Sequence, residues 1–65
     1  MTKLQEIRKA SGLSQSALAE ASGVSIRMIQ KYETQDRDIN KASAISVYWL
    51  AEALKCDIKD ILDIR

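Results

Sequence analysis

Residues 13–33, LSQSALAEASGVSIRMIQKYE, decide how this chain folds. Two short helical patterns flank Gly23, and a serine precedes each of them: Ser14 before residues 15–21 and Ser25 before residues 26–32. A serine hydroxyl in that position accepts one of the backbone N–H groups that the first helical turn leaves unpaired. Gly23 falls where a chain leaving a helix commonly passes through a left-handed conformation, which costs little without a Cβ. Two helices joined this closely must cross steeply.

That spacing is the mechanical signature of a helix-turn-helix, spanning about 14–33, in which the first helix lies across a DNA backbone and the second enters the major groove. At about 100° per residue, Met28, Ile29 and Tyr32 share one side of the second helix, reinforced by Val24 from the turn. Arg27, Gln30 and Lys31 fall on the other side, with Ile26 at its edge and Thr34 beyond. A donor-rich face backed by an apolar one is what a groove-reading helix needs. An ordinary amphipathic helix with a solvated polar face carries the same pattern.

The string LSQSALAEASGVSIRMIQKYE, extended upstream through LQEIRKASG and downstream through WLAEALKCDIKDIL, resembles the Cro/C1-type (XRE) helix-turn-helix family. The likeness lies in the Leu-Ser-Gln opening, the Leu-Ala pair, the Gly-Val-Ser turn and the Ile-x-x-Tyr-Glu close. It implies an all-α, compact five-helix lambda-repressor-like DNA-binding domain. It also implies that Gln15, Ser25, Ile26, Arg27, Gln30 and Lys31 face DNA, with Gln15 reaching phosphate and sometimes an adenine edge. A helix N-terminus already favours an anion, so an amide there adds to that attraction; a solvated glutamine is the alternative. Arg27 is the best candidate for base readout, because a guanidinium bonds guanine O6 and N7 together. Ile26 suits a thymine methyl, and Gln30 and Lys31 suit either a base edge or a phosphate. The resemblance further pairs Arg8 with Glu33 as an ion pair tying the first helix to the end of the third, against the alternative of two separate surface charges.

Sixty-five residues allow one small domain, spanning 1–65, near the lower limit for folding without metals or disulfides. Hydrophobic residues make up 46% of the chain and proline is absent, a composition suited to helices joined by short turns. With no apolar run long enough to span a bilayer and no signal-like block in MTKLQEIRKA, a soluble, cytoplasmic chain is expected. Cys56 has no partner for an internal disulfide and reads as a small buried hydrophobe rather than a reactive thiol. Histidine is absent, which removes the commonest general base and metal ligand, and the serines lack a base to activate them. No enzyme, no metal and no cofactor are expected.

Net charge is only +1, yet it is unevenly divided. Residues 1–32 hold five Lys or Arg against two Glu, giving +3; residues 33–65 hold five against seven acids, giving −2. The positive half is the half that carries the motif, so DNA binding should be salt-sensitive.

Outside the motif, the first helix should run from residue 2 or 3 to about 11, with Leu4 and Ile7 on its inner face, Arg8 close to that face and Gly12 ending it. Leu13 and Leu18 should join Leu4, Ile7, Val24 and Ile29 in the core. Residues 34–41, TQDRDINK, read as a loop. Here Gln35 and Asp36 stand where the family usually has a glycine, so the exit from the recognition helix should differ or the helix run longer. Arg37 is flanked by Asp36 and Asp38, which leaves Asn40 and Lys41 better placed for phosphate.

The fourth helix should begin at residue 42 or 43 and end at Leu54, with Ala44, Val47, Leu50, Ala51 and Leu54 inward. Ile45, Tyr48 and Trp49 form a second stripe: a partner surface, or, for Trp49, a ring laid against the C-terminal segment. Lys55 replaces a frequent family glycine, so a looser or differently capped turn is expected there. Asp57 should cap a short fifth helix that closes the core with Ile58, Ile61 and Leu62.

The expected function is sequence-specific binding of double-stranded DNA by a repressor-like transcriptional regulator acting as a homodimer. The alternative is a protein-interaction module, such as the antitoxin of a toxin–antitoxin pair, using Ile45, Tyr48 and Trp49.

Overall fold

The computed structural model describes residues 2–62 and is all-helical. Its elements are α1 (Lys3–Ala10), α2 (Gln15–Ser22), α3 (Ile26–Glu33), a 3-10 turn (Ile39–Lys41), α4 (Ala44–Leu54) and α5 (Ile58–Ile61). Local chemistry starts each of the first four helices in the same way. The hydroxyls of Thr2, Ser14, Ser25 and Ser43 accept the N–H groups of Gln5, Ala17, Met28 and Ser46, at 3.2, 3.0, 3.2 and 3.3 Å. Such a cap is worth about 1 kcal/mol to a helix, which matters when three of the four run only eight residues. At α5, Asp57 occupies the N-cap and its N–H donates to the Asp60 carboxylate at 3.0 Å.

Each helix contributes one fully buried aliphatic side chain to the core: Leu4, Leu18, Ile29, Leu50 and Ile61. Around them close Val24, Tyr32, Val47, Ala51 and Leu54, with Ile7, Leu13 and Met28 partly buried against the cluster. The helix α4 packs on both α2 and α5, while α1 packs on α3 and α5. Among the described residues no helix is long and apolar enough to cross a membrane.

Two expected core positions differ. Ala44 lies in the first turn of α4 and is exposed, because the core-facing stripe begins only at Val47. Ile58 opens α5 and is 40% exposed, so that helix is anchored by Ile61 alone among its fully buried side chains. Their place is taken by Ile39, only 4% exposed, from the stretch read as a loop. Asp38 sets that stretch into its 3-10 turn by accepting the Asn40 N–H at its carboxylate, 2.9 Å, and the Lys41 N–H at its carbonyl, 2.9 Å.

The two missing glycines do not change the helix exits as expected. α3 stops at Glu33 and does not run longer; Gln35 itself adopts a left-handed backbone, φ 66°, and its N–H donates to the Tyr32 carbonyl at 3.3 Å. Lys55 does the same after α4, φ 56°, so the turn there is not looser. The N–H of Cys56 reaches back to the Ala51 carbonyl at 3.0 Å, the closing bond of a Schellman motif. A side chain in that conformation costs about 1–2 kcal/mol. Lys55→Gly is therefore expected to stabilise the chain by about 0.5–1 kcal/mol after the entropy of an unfolded glycine is set against the relief. A urea midpoint that stays put or falls would show that Lys55 carries no strain.

Cys56 is half-buried in the structure. Burial first, and then the nearby Asp60 and Asp57 carboxylates, push its thiol above the ordinary range. The thiolate is the nucleophilic form, so this cysteine is a poor nucleophile at neutral pH.

Candidate nucleic-acid interface

The turn between α2 and α3 is three residues long and held at both ends. Gly23, φ 78°, donates its N–H to the Ala19 carbonyl at 2.9 Å and closes α2. The Ser22 hydroxyl accepts the Val24 N–H at 3.1 Å, which sends Val24 into the core, and Ser25 then caps α3. With Ile29, Tyr32 and Glu33 buried, the other face of α3 must turn outward. Ser25, Arg27 and Gln30 are exposed, Ile26 is 38% exposed, and Lys31 is half-buried.

Gln15 at the start of α2 lies beside this face. Together with Arg27, Gln30, Lys31, Thr34 and Asp36 it lines one shallow concavity. The structure thus brings Gln15, Arg27, Gln30 and Lys31 together, and places Thr34 and Asp36 beside them. Asp36 brings a carboxylate to the rim, which opposes phosphate and narrows the cationic surface to Arg27 and Lys31. Asn40 lines a different, mostly apolar hollow with Ile39, Ala42, Ala44, Val47, Ile58 and Leu62, and Lys41 is exposed at the end of the 3-10 turn. The Ser25 hydroxyl is engaged by the Met28 N–H, so its first task is to shape the helix that carries the face.

Beneath the face lies a buried polar network. Arg8 and Glu33 form a bidentate pair, with Arg8 Nε donating to Glu33 Oε2 at 2.6 Å and Nη2 to Oε1 at 3.1 Å. Their side chains are 10% and 1% exposed. The remaining terminal nitrogen, Nη1, donates to the Leu13 carbonyl at 2.9 Å, so one guanidinium ties α1, the α1–α2 loop and the end of α3 together. Bidentate, charge-assisted pairing of this kind is strong because both donors match the carboxylate geometry. Residue types did not reveal that Glu33 also accepts from Gln15 Nε2, at 3.0 Å, or that Gln15 Oε1 accepts from Gln30 Nε2, at 3.3 Å. Partners 18 and 15 residues apart leave no local signal in a sequence.

Two short helices crossing at a capped three-residue turn, the second showing an arginine, a lysine and an amide to solvent, define a helix-turn-helix DNA-binding domain. A sequence profile described as helix-turn-helix matches residues 4–61, and the chain belongs to that family, the Cro/C1-type or XRE class of DNA-binding transcription regulators. No curated protein and no solved structure matches the chain.

Proposed function

We propose that the chain recognises a specific double-stranded DNA sequence as a repressor-like transcriptional regulator, with α3 in the major groove and two copies on a two-fold operator. The observation that carries this reading is the outward face of α3, Arg27, Gln30 and Lys31, continuous with Gln15 at the start of α2. Phosphate contacts fix register on a duplex and base-edge contacts supply sequence preference; this face offers donors for both. A single recognition helix buries little surface, which favours a dimer. The chain measures 27 × 23 × 21 Å. That is narrower than the ~34 Å separating successive major-groove faces on one side of a duplex, so two copies fit side by side.

Binding-site selection from random duplexes, followed by titration of the recovered site at several salt concentrations, tests this reading. An enriched two-fold sequence whose affinity falls steeply with salt is expected. No retained duplex even in dilute buffer sinks it.

A second reading, a protein-interaction module such as an antitoxin, draws support from Ile45, Tyr48 and Trp49, which are 56%, 49% and 44% exposed. Three large apolar side chains on one exposed stretch of helix suit a partner surface. Loss of a stable complex with a co-expressed toxin on Trp49→Ala, with DNA binding intact, is the outcome that separates it from the first.

A further inference from the structure

Asp36 places a carboxylate in the concavity that Arg27, Gln30 and Lys31 also line. The backbone holds it there from both sides. Gln35 turns the chain back through a left-handed conformation, φ 66°, and donates its N–H to the Tyr32 carbonyl at 3.3 Å. The Arg37 N–H then donates to the Lys31 carbonyl at 3.2 Å, so Asp36 is pinned against the last turn of α3. Its side chain is exposed, and among the described residues no hydrogen bond or ion pair engages the carboxylate.

An ionised carboxylate only accepts hydrogen bonds, and one that is desolvated without a donor is costly. In the major groove the bases donate at two places alone, adenine N6 and cytosine N4. Adenine carries its N7 acceptor beside N6, which repels a carboxylate, whereas the cytosine edge presents N4 with no acceptor next to it. We propose that Asp36 is a specificity-determining residue that reads cytosine, accepting from N4 and rejecting the O4 of thymine and the O6 and N7 of guanine. This rests on the DNA-binding reading above and names a base that it selects. The cations of Arg27 and Lys31 beside Asp36 offset its repulsion from the phosphate backbone as a whole, so the carboxylate acts on which base is met rather than on whether DNA is met. Discrimination then comes as much from repulsion at wrong sequences as from the bond made at the right one.

The test uses the whole chain and its Asp36→Asn and Asp36→Ala variants in the same binding-site selection, with circular dichroism to check that each is folded. The side chain is exposed and holds no partner within the domain, so folded variants are expected. The unsubstituted chain should enrich a cytosine at one position per half-site, and replacing it with another base should weaken binding roughly 5- to 150-fold. Asp36→Asn keeps the size but can donate as well as accept, so it should lose that preference, as should Asp36→Ala, while the other positions of the site keep theirs. A duplex with uracil paired to adenine at the position exchanges the N4 donor for an O4 acceptor without adding a methyl group. It should bind the unsubstituted chain more weakly than the cytosine duplex does, and that penalty should shrink in Asp36→Asn.

Duplexes retained with the cytosine preference surviving both substitutions, or with no cytosine position at all, overturn the assignment while leaving the DNA-binding reading standing. Equal tightening of every duplex by Asp36→Ala, with base preferences unchanged, overturns it too, since the carboxylate then only repels phosphate. No duplex retained by any form ends both readings together.

Discussion

Glu33→Ala should cost the domain about 3–5 kcal/mol of folding stability, because it strands the buried Arg8 guanidinium. Three groups lose their acceptor at once: Arg8 Nε, Arg8 Nη2 and the Gln15 amide. Folding free energies of about 0.05–0.15 kcal/mol per residue give a chain of 65 residues about 3–10 kcal/mol in all, so this loss takes a third of it or more. A large fall in the urea midpoint is therefore expected. Arg8→Met with Glu33→Leu removes both charges and keeps apolar volume. That pair should lose far less than the sum of the single alanine variants, since paired burial of charge is costly to break and cheap to replace. A double-mutant cycle with Arg8→Ala and Glu33→Ala that shows no coupling would mean the contact is incidental to the fold.

Arg27→Ala should leave stability nearly untouched and weaken binding to the selected duplex by about 1–3 kcal/mol. The residue is exposed, so its removal leaves no buried partner unsatisfied. Its five guanidinium donors suit guanine O6 and N7 together, and loss of such a pair should relax preference at one base position. Lys31→Ala is the internal comparison: a lost phosphate contact weakens all sequences alike and lowers the salt dependence by about one charge. An Arg27→Ala protein with unchanged affinity and unchanged preference would mean that this face of α3 is not the reading face.

Much of the fold was legible because it is written locally. Ser14, Gly23 and Ser25 each satisfy or release a backbone group within four residues of themselves, so their positions alone place α2, the turn and α3. The inner stripes of α3 and α4 were equally plain, since Val47, Leu50, Ala51 and Leu54 repeat with the helix and all are buried. Other features were misjudged where a local rule competes with packing. The absence of glycine at Gln35 and Lys55 suggested altered helix exits, yet a left-handed side chain costs less than leaving the final carbonyls unpaired. Ala44 and Ile58 fit an inward stripe by spacing but sit in the first turns of their helices and are exposed, while Ile39 fills the core from a 3-10 turn that periodicity does not mark.

The sequence by itself determined the capped starts of α2 and α3, the turn between them, the charge division and the outward face of α3, because caps, glycine and hydrophobic period act over a few residues. The tertiary structure alone decided that Gln15 faces Glu33, which way the Gln30 amide points, that Asp36 borders the interface, and that Ile39 rather than Ile58 seals the core. Those outcomes depend on directions in space between residues far apart in the chain, and a hydrogen bond is selected by such directions as much as by the groups it joins.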